Sequence, residues 1–231
     1  MPPYSRAVLK RKNSGKYMSA GKKVRSVVRK SYANYPIYSA VPTAPAPSRV
    51  ELKYDDGTLS GAVSNTPAVV VLSTIGNGSG SSERIGRRIR YENLEIGWIW
   101  RFAANHGGPN HCRFTIVYDN SPNGSIAAYT DMFVNTAVQS LQNPDTRGRF
   151  KFLYDSTAVS MVNDPVGTGS GNWSNFSGHK VISLKGKQAH YIGTGNTITD
   201  MEKGAIYLVL NSYQNNVNAI DFTNRIQFTD A

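Results

Sequence analysis

Apolar and polar residues alternate along much of the chain after residue 49, and this period of two predicts β-strands. In "HCRFTIVYD" (111–119), Cys112, Phe114, Ile116 and Tyr118 fall on one face, as a half-buried strand requires. Clusters of Gly, Asn, Pro and Ser separate the strand-like segments. Eight strands are predicted, at 50–55, 68–75, 87–102, 111–119, 149–157, 179–186, 205–213 and 221–230.

Two of these segments carry further information. The run "AIYLVL" (205–210) is apolar on both faces, so we expect a strand that is covered on both sides. In 87–102 the apolar positions change phase, from odd-numbered positions at Ile89 to even-numbered positions at Leu94. A bulge or bend near Glu92–Asn93 would reconcile the two phases.

Helix and turn signals complete the picture. Only Ser125–Leu141 has the spacing of a modest helix, and Asp55-Asp56 before Gly57 predicts a turn. Eight strands with long Gly-rich connections indicate an all-β fold, specifically an eight-stranded jelly-roll β-sandwich. We expect Trp98 and Trp100 in its core, with a subunit interface as the alternative.

Charge is distributed unevenly along the chain. Its 231 residues carry a formal net charge of +11, with eleven basic and no acidic side chains before Glu51 and equal numbers of both from there on. Four prolines between residues 36 and 48 favour an extended linker. We therefore predict a basic N-terminal arm (1–35), a Pro-rich linker (36–48) and a jelly-roll domain (49–231).

The sequence also argues against several classes of protein. No apolar run is long enough for membrane insertion, and no secretory h-region follows the basic residues. The single cysteine, Cys112, excludes an intramolecular disulfide and fits a reducing compartment. His106 and His111 lie near it, but the second ligand pair of a structural zinc site is missing. We expect a buried Cys112, no metal, no cofactor and no enzymatic activity; a glycan-active β-sandwich enzyme would need a cleft with converging carboxylates.

Four kinds of partner could use the basic arm: an organelle import system, an anionic membrane, the nuclear import machinery or a nucleic acid. Pro2, Pro3 and Gly15 weaken the helix that a mitochondrial transit peptide needs, and an anionic membrane requires a broader apolar face or lipidation. Phosphate neutralisation needs only positive charge on a flexible chain, and interleaved tyrosines can stack on unpaired bases.

We therefore predict that the arm binds nucleic acid. The candidate residues in the arm are Arg6, Lys10, Arg11, Lys12, Lys16, Lys22, Lys23, Arg25, Arg29 and Lys30. Its densest clusters also fit a nuclear localisation signal, consisting of Lys10, Arg11, Lys12, Lys22 and Lys23. The two uses are compatible, and the alternative is a solvated tail that aids solubility.

A Gly-rich stretch, "GNGSGSSERIGRR" (76–88), superficially resembles a phosphate-binding loop. It lacks the G-x-x-x-x-G-K-[ST] pattern and leads into a predicted strand rather than a helix. Four arginines at its end could bind phosphate or pair with the carboxylates of a neighbouring subunit, namely Arg84, Arg87, Arg88 and Arg90. The alternative is a solvated loop and strand edge.

Taken in order, four segments resemble the capsid proteins of small circular single-stranded DNA viruses, the geminivirus-like and circovirus-like groups. They are the basic arm, "GSGSSERIGRRIRYENLEI", "FTIVYDNSPNG" and "NPDTRGRFKFLYD". The ending "GAIYLVLNSYQNNVNAIDFTNRIQFTDA" is similar to the last two strands of geminivirus coat proteins. The Cys/His cluster of geminivirus proteins has no counterpart here, and the arm contains fewer arginines than circovirus arms.

The resemblance implies a single jelly roll that assembles into a T=1 icosahedral shell of sixty copies around circular single-stranded DNA. The arm would face inward to bind the genome, after serving in nuclear import, and the protein would occupy the virion and the host nucleus. A host receptor is implied but not identified. Two alternatives stay open: the coat protein of a small satellite-type RNA virus, and a nucleic-acid-binding β-domain that forms no shell.

Overall fold

The computed structural model describes residues 51–102, 110–160, 174–215 and 218–231, so the predicted arm and linker lie outside the described residues. The described strands are β1 (Leu52–Val63), β2 (Ala68–Val71), β3 (Arg88–Phe102), β4 (Asn110–Asp119), β5 (Phe150–Ser160), β6 (Ser174–Ser183), β7 (Gln188–Tyr191), β8 (Met201–Lys203), β9 (Ala205–Ser212) and β10 (Asn218–Asp230). One short helix, α1 (Tyr129–Met132), and two 3₁₀ turns, Pro144–Thr146 and Ile198–Asp200, accompany them.

The strands form two antiparallel sheets. One has the order β1-β10-β3 followed by β6, β7 and β8, and the other has the order β2-β9-β4-β5. Both β6 and β7 pair with β3, β6 along Asn93–Phe102 and β7 along Arg88–Arg90, so together they act as one strand interrupted by residues 184–187. With β6 and β7 counted as one, four strands face four in jelly-roll order, and β8 is an added edge. The predicted fold class is confirmed.

The predicted bulge in β3 is present. Tyr91 lies opposite Phe228 and Asn93 lies opposite Gln227, which leaves Glu92 without a partner on β10. The extra residue moves the inward-facing positions from odd to even numbers, as the sequence pattern requires. The carbonyl of Glu92 accepts a hydrogen bond from the Leu184 amide at 2.9 Å, where β6 ends.

Aromatic side chains fill the space between the sheets. Trp100 is fully buried, and Trp98 is half-buried with its ring centroid 5.0 Å from that of Phe114. Opposite Trp98 lies Gly178, where a Cβ atom would be 2.3 Å from the indole Cζ2. The absence of a side chain at Gly178 therefore lets the indole lie against the backbone of β6.

The second sheet is covered on both sides. All eight residues of β9 are buried, which confirms the prediction for "AIYLVL", and β4 is buried at nine of ten positions. The connection between β4 and β5, residues 120–149, covers the outer face, because Asn211 donates to the Thr136 carbonyl at 3.0 Å and Tyr207 to the Ser125 carbonyl at 3.4 Å. The strand β4 is therefore covered on both faces, so the prediction that it is half-buried is wrong.

The helix predicted at Ser125–Leu141 is wrong except for the single turn α1. Phe133 forms a β-bridge with Gln142 instead. Arg113 donates to the carbonyls of Val138 and Ser140 at 2.9 and 2.6 Å. The Arg113 side chain thus gives these carbonyl groups the hydrogen bonds that the backbone amides of a helix would otherwise give them.

The turn predicted at Asp55-Asp56-Gly57 is also wrong, because β1 runs through it from Leu52 to Val63. Asp56 lies opposite Arg225 and accepts hydrogen bonds from its Nε and Nη2 at 2.7 and 2.8 Å. At Gly57 a Cβ atom would lie 2.6 Å from Asn224 Oδ1, so glycine provides space for a neighbouring side chain here rather than a turn.

Candidate nucleic-acid interface

Five basic side chains of the described residues form ion pairs that hold strands and connections together. The pairs are Lys53–Asp230 at 3.0 Å, Arg101–Asp221 at 2.7 Å, Arg113–Asp155 at 2.6 Å, Arg149–Asp119 at 2.8 Å and Arg225–Asp56 at 2.7 Å. Hydrogen bonding to the Asp119 carboxylate raises the pKa of Arg149, and hydrogen bonding to Arg225 lowers the pKa of Asp56. Through these ion pairs the five cations serve the fold.

Arg84, one of the four arginines predicted to meet phosphate, serves the fold as well. It is 1% exposed, and its guanidinium donates to the carbonyls of Ile75 at 3.0 Å and Gly193 at 2.7 Å, and also to that of Gly86. Burial lowers the pKa of this guanidinium. Because its donors are used inside the protein, the assignment of Arg84 to a phosphate surface is corrected.

The other three arginines are exposed and belong to a larger group. We call this group the basic end; it consists of Arg87, Arg88, Arg90, Lys185, Lys187 and Lys203. Within the described ranges none of the six forms an ion pair, whereas Lys187 lies with its Nζ 5.9 Å from the centroid of the Tyr118 ring. Six cations with no carboxylate partner in the described ranges form a surface suited to anionic ligands.

Strand register brings the basic end together. Arg88 lies opposite His190 on β7, and His190 lies opposite Lys203 on β8, so the three side chains share one face. With strands about 4.8 Å apart, the Cα atoms of Arg88 and Lys203 are about 10 Å apart. His190 pairs with Glu202 through its Nδ1 atom, which places one carboxylate beside this row.

The same end of the sheet is where the chain enters the first strand. Arg90 lies opposite Thr229 of β10, and Thr229 lies opposite Leu52, the first residue of β1. Arg90 and Leu52 are therefore two strand spacings apart, about 10 Å. The strand β1 therefore begins beside the basic end, and the predicted arm and linker precede β1 in the sequence.

An open cavity of about 390 Å³ adjoins the basic end. Its lining includes Arg88, Lys203, Tyr118, Asn120 and Gln188. Tyr118 donates from its hydroxyl to the Gln188 carbonyl at 2.9 Å, and burial raises the pKa of that hydroxyl. The cavity thus combines cations with two carboxamides on a wall that is fixed to the core.

The remaining predicted sites have separate outcomes. Arg6, Lys10, Arg11, Lys12, Lys16, Lys22, Lys23, Arg25, Arg29, Lys30 and also His106 lie outside the described residues. Cys112 is buried, as predicted, and burial raises its pKa to about 12.

In the described part of the chain, no group of three or more His, Cys, Asp or Glu residues could hold a metal ion. None of the helices in the same ranges is long and apolar enough to cross a membrane.

The sequence indicated three of the six residues of the basic end. Lys185, Lys187 and Lys203 were missed because they are dispersed along the sequence and meet Arg88 only through the pairing of β3, β7 and β8. A cluster that depends on register leaves no local motif, although the predicted strand at 179–186 placed Lys185 near the end of a strand.

Comparison with known proteins gives distant similarities only. No family model matches the chain, and no curated protein matches its sequence. A structure of the T=3 Penaeus vannamei nodavirus is similar over 98% of this chain and 64% of that chain, with 11% identity and a TM-score of 0.26. A structure of the Macrobrachium rosenbergii nodavirus is similar over 89% of this chain and 61% of that chain, with 11% identity and a TM-score of 0.22.

A Clostridium thermocellum xylanase with a CBM22-1 module also matches, over 74% of this chain and 26% of that chain, with 8% identity and a TM-score of 0.21. At such identities and TM-scores these matches establish neither a family nor a function. The chain spans less than two thirds of the length of each of these three proteins. The jelly-roll assignment accordingly rests on the strand order alone.

Proposed function

We propose that this chain is a viral capsid protein that assembles into an icosahedral shell and packages single-stranded DNA through its basic arm. The observation that carries the proposal is the position of the charge. The domain from residue 51 onward is formally neutral, yet it carries a basic end beside Leu52, where β1 begins. The arm and the basic end are thus two cationic parts of one chain, joined by an uncharged linker, and each offers positive charge to a phosphate backbone.

The jelly-roll topology fits a shell-forming subunit, and the resemblance of five sequence segments to capsid proteins of small circular DNA viruses favours circular DNA as cargo. The role is structural rather than enzymatic: the arm condenses the genome and the domain associates with copies of itself. In this proposal Lys10, Arg11, Lys12, Lys22 and Lys23 direct nuclear import before the virion forms, and the shell is a T=1 assembly of sixty copies.

Electron microscopy and size-exclusion chromatography of the purified full chain test shell formation. We expect uniform spherical particles in the megadalton range, and a small species at all concentrations would indicate the alternative, a binding domain that forms no shell. Nucleic acid extracted from the particles should resist ribonuclease and be degraded by deoxyribonuclease. Ribonuclease-sensitive cargo would favour the satellite-type RNA virus alternative.

Neutralising the arm in the full chain tests its role. Replacing Lys10, Arg11, Lys12, Lys22 and Lys23 with Ala should reduce co-purified nucleic acid and make the log–log salt slope of binding to a single strand shallower by about 3.5. The same variant fused to a fluorescent reporter should stay cytoplasmic. Unchanged binding and unchanged nuclear accumulation would reject the two roles of the arm separately.

A further inference from the structure

We propose that the cavity beside the basic end binds one nucleotide of the packaged strand, with its phosphate at Arg88 and Lys203 and its base against Asn120 and Gln188. This inference rests on the proposed function, because it takes single-stranded nucleic acid as the ligand. It goes further in assigning a nucleotide site to the folded domain, separate from the arm.

Charge supports the phosphate end of the site. Arg88 and Lys203 both line the cavity, both are exposed, and neither forms an ion pair within the described ranges. Their Cα atoms are about 10 Å apart across β7, so two long side chains can approach one phosphate from opposite sides. His190 lies between Arg88 and Lys203. The Glu202 carboxylate beside these residues pairs with His190.

The carboxamides support the base end. Asn120 and Gln188 line the cavity, both are exposed, and within the described ranges neither side chain forms a hydrogen bond. Carboxamides present a donor and an acceptor together, and they pair with the edges of unstacked bases in single strands. Two cations alone would suit any anion, whereas cations with two carboxamides suit a nucleotide.

The walls of the cavity are held in place by the core. The Tyr118 hydroxyl donates to the Gln188 carbonyl at 2.9 Å, and the amide of Asn120 donates to the Arg149 carbonyl at 3.0 Å. Tyr91 donates to the Gly204 carbonyl at 2.9 Å, directly after Lys203. The backbone of the cavity wall is therefore fixed before binding, and a volume of about 390 Å³ lies within the range of small-molecule sites.

Fluorescence anisotropy with labelled single-stranded oligodeoxynucleotides tests the site on the full chain, with an intact arm. The Arg88→Ala/Lys203→Ala double variant should lower the affinity about tenfold and make the salt slope shallower by about 1.4. The matched control is Arg147→Ala/Lys180→Ala, which also removes one exposed Arg and one exposed Lys but lies outside the cavity lining. An equal loss in both double variants would overturn the proposal, because general charge alone would then explain it.

The Asn120→Ala/Gln188→Ala variant tests the base contact without changing charge. We expect weaker binding, a smaller difference in affinity between dA and dT homopolymers, and an unchanged salt slope. Thermal melting must show that every variant is folded, and ultraviolet cross-linking of the wild-type chain should attach the oligonucleotide to peptides containing Tyr118 or Gln188.

The outcomes separate this proposal from the function on which it rests. Cross-links confined to residues 1–35, with cavity variants that bind like the control, would overturn the nucleotide site and leave genome packaging by the arm intact. Absence of binding by the wild-type chain would reject the proposed function itself. A cavity variant with unchanged affinity but altered particle size would instead assign the cavity to contacts between subunits, and would overturn the proposal.

Discussion

The guanidinium carbon of Arg84 lies 4.0 Å from the centroid of the Tyr191 ring. Around this pair, Arg84 bonds to the carbonyl of Ile75 on its own connection and to that of Gly193 on the connection that follows β7. Tyr191 donates to the Ser73 carbonyl at 2.8 Å, and burial raises its pKa to about 12. One cation thus fastens two long connections at the end of the sandwich where the basic end lies.

Replacing Arg84 with Ala should destabilise the domain. Several buried carbonyl groups would lose their donor, and each such loss costs about 1–3 kcal/mol, so we expect the free energy of unfolding to fall by about 3 kcal/mol or more. Chemical denaturation monitored by circular dichroism measures the change. Arg87→Ala is the control, because Arg87 is exposed and a surface substitution should change stability by less than about 0.5 kcal/mol. Equal stability of the two variants would contradict the structural role of Arg84.

Gly178→Ala should destabilise the core by forcing Trp98 away from Phe114. The added Cβ would lie 2.3 Å from the indole, and overpacking of this kind costs about 1–3 kcal/mol. Gly61→Ala is a matched control on β1, because no atom lies within 4 Å of the position that its Cβ would occupy. Tryptophan fluorescence follows the environment of the indole, and denaturation gives the stability of both variants. If the Gly178→Ala protein were as stable as the Gly61→Ala protein, the Trp98 indole would be able to move aside without loss of packing, and the prediction would be wrong.

Asp55 should make folding dependent on pH. Burial, followed by the charge of Asp56, raises the pKa of Asp55 to about 6. Because this exceeds the value in the unfolded chain, the folded state takes up a proton, and stability falls as pH rises from about 4 to about 6 and stays lower above that range.

Asp55→Asn removes this penalty. Allowing for solvent screening of a half-buried group, we expect it to stabilise the domain by about 1 kcal/mol near pH 7.5 and to have little effect near pH 4. Asp56→Asn is the contrasting variant, since hydrogen bonding to Arg225 lowers the pKa of Asp56 and its loss should not stabilise. Urea denaturation at the two pH values measures both, and a benefit that does not depend on pH would reject the ionisation argument.

Cys112 should be unreactive in the folded protein. Burial raises the pKa of its thiol to about 12, and the Ser212 hydroxyl lies 3.7 Å from its sulfur. Because the thiolate is the reactive form, a disulfide reagent at about pH 8 should label the folded chain slowly. In guanidinium the single cysteine should react at once, which serves as the positive control. Rapid labelling of the native chain would show that β4 opens locally.

The arrangement of the core was predictable because alternation reports which face of a strand is buried. The change of phase around Glu92 predicted a bulge, and the doubly apolar "AIYLVL" predicted a strand covered on both sides. Both follow from the period of two, which does not depend on the identity of the neighbouring strands. The strands β7 and β8 were missed because four and three residues are too few to establish a period.

Errors arose where long-range partners override local preference. Asp55-Asp56-Gly57 has the composition of a turn, yet Arg225 and Asn224 stabilise it as part of a strand. Likewise nothing in "SERIGRRIR" marks which arginine turns inward, because the carbonyls that bind Arg84 lie partly on a connection 109 residues further along. The basic end also depends on the register between β3, β7 and β8, and this register cannot be predicted from any single segment of the sequence.

The length of β1 sets the distance between the basic end and the turn that follows β1. Its twelve residues run from Leu52, beside the basic end, to Val63, and at about 3.4 Å per residue they span about 40 Å. The turn that follows β1, where Ser64 donates to Asn215 at 2.7 Å and accepts from the amide of Thr66 at 3.1 Å, therefore lies about 40 Å from Leu52. A peptide inserted at Asn65 would be displayed at the far end of β1. Its distance from the basic end would exceed the Debye length of about 8 Å, so charges in the peptide would be screened from the basic end. In the proposed capsid, a peptide inserted at this turn would therefore leave the basic end unchanged.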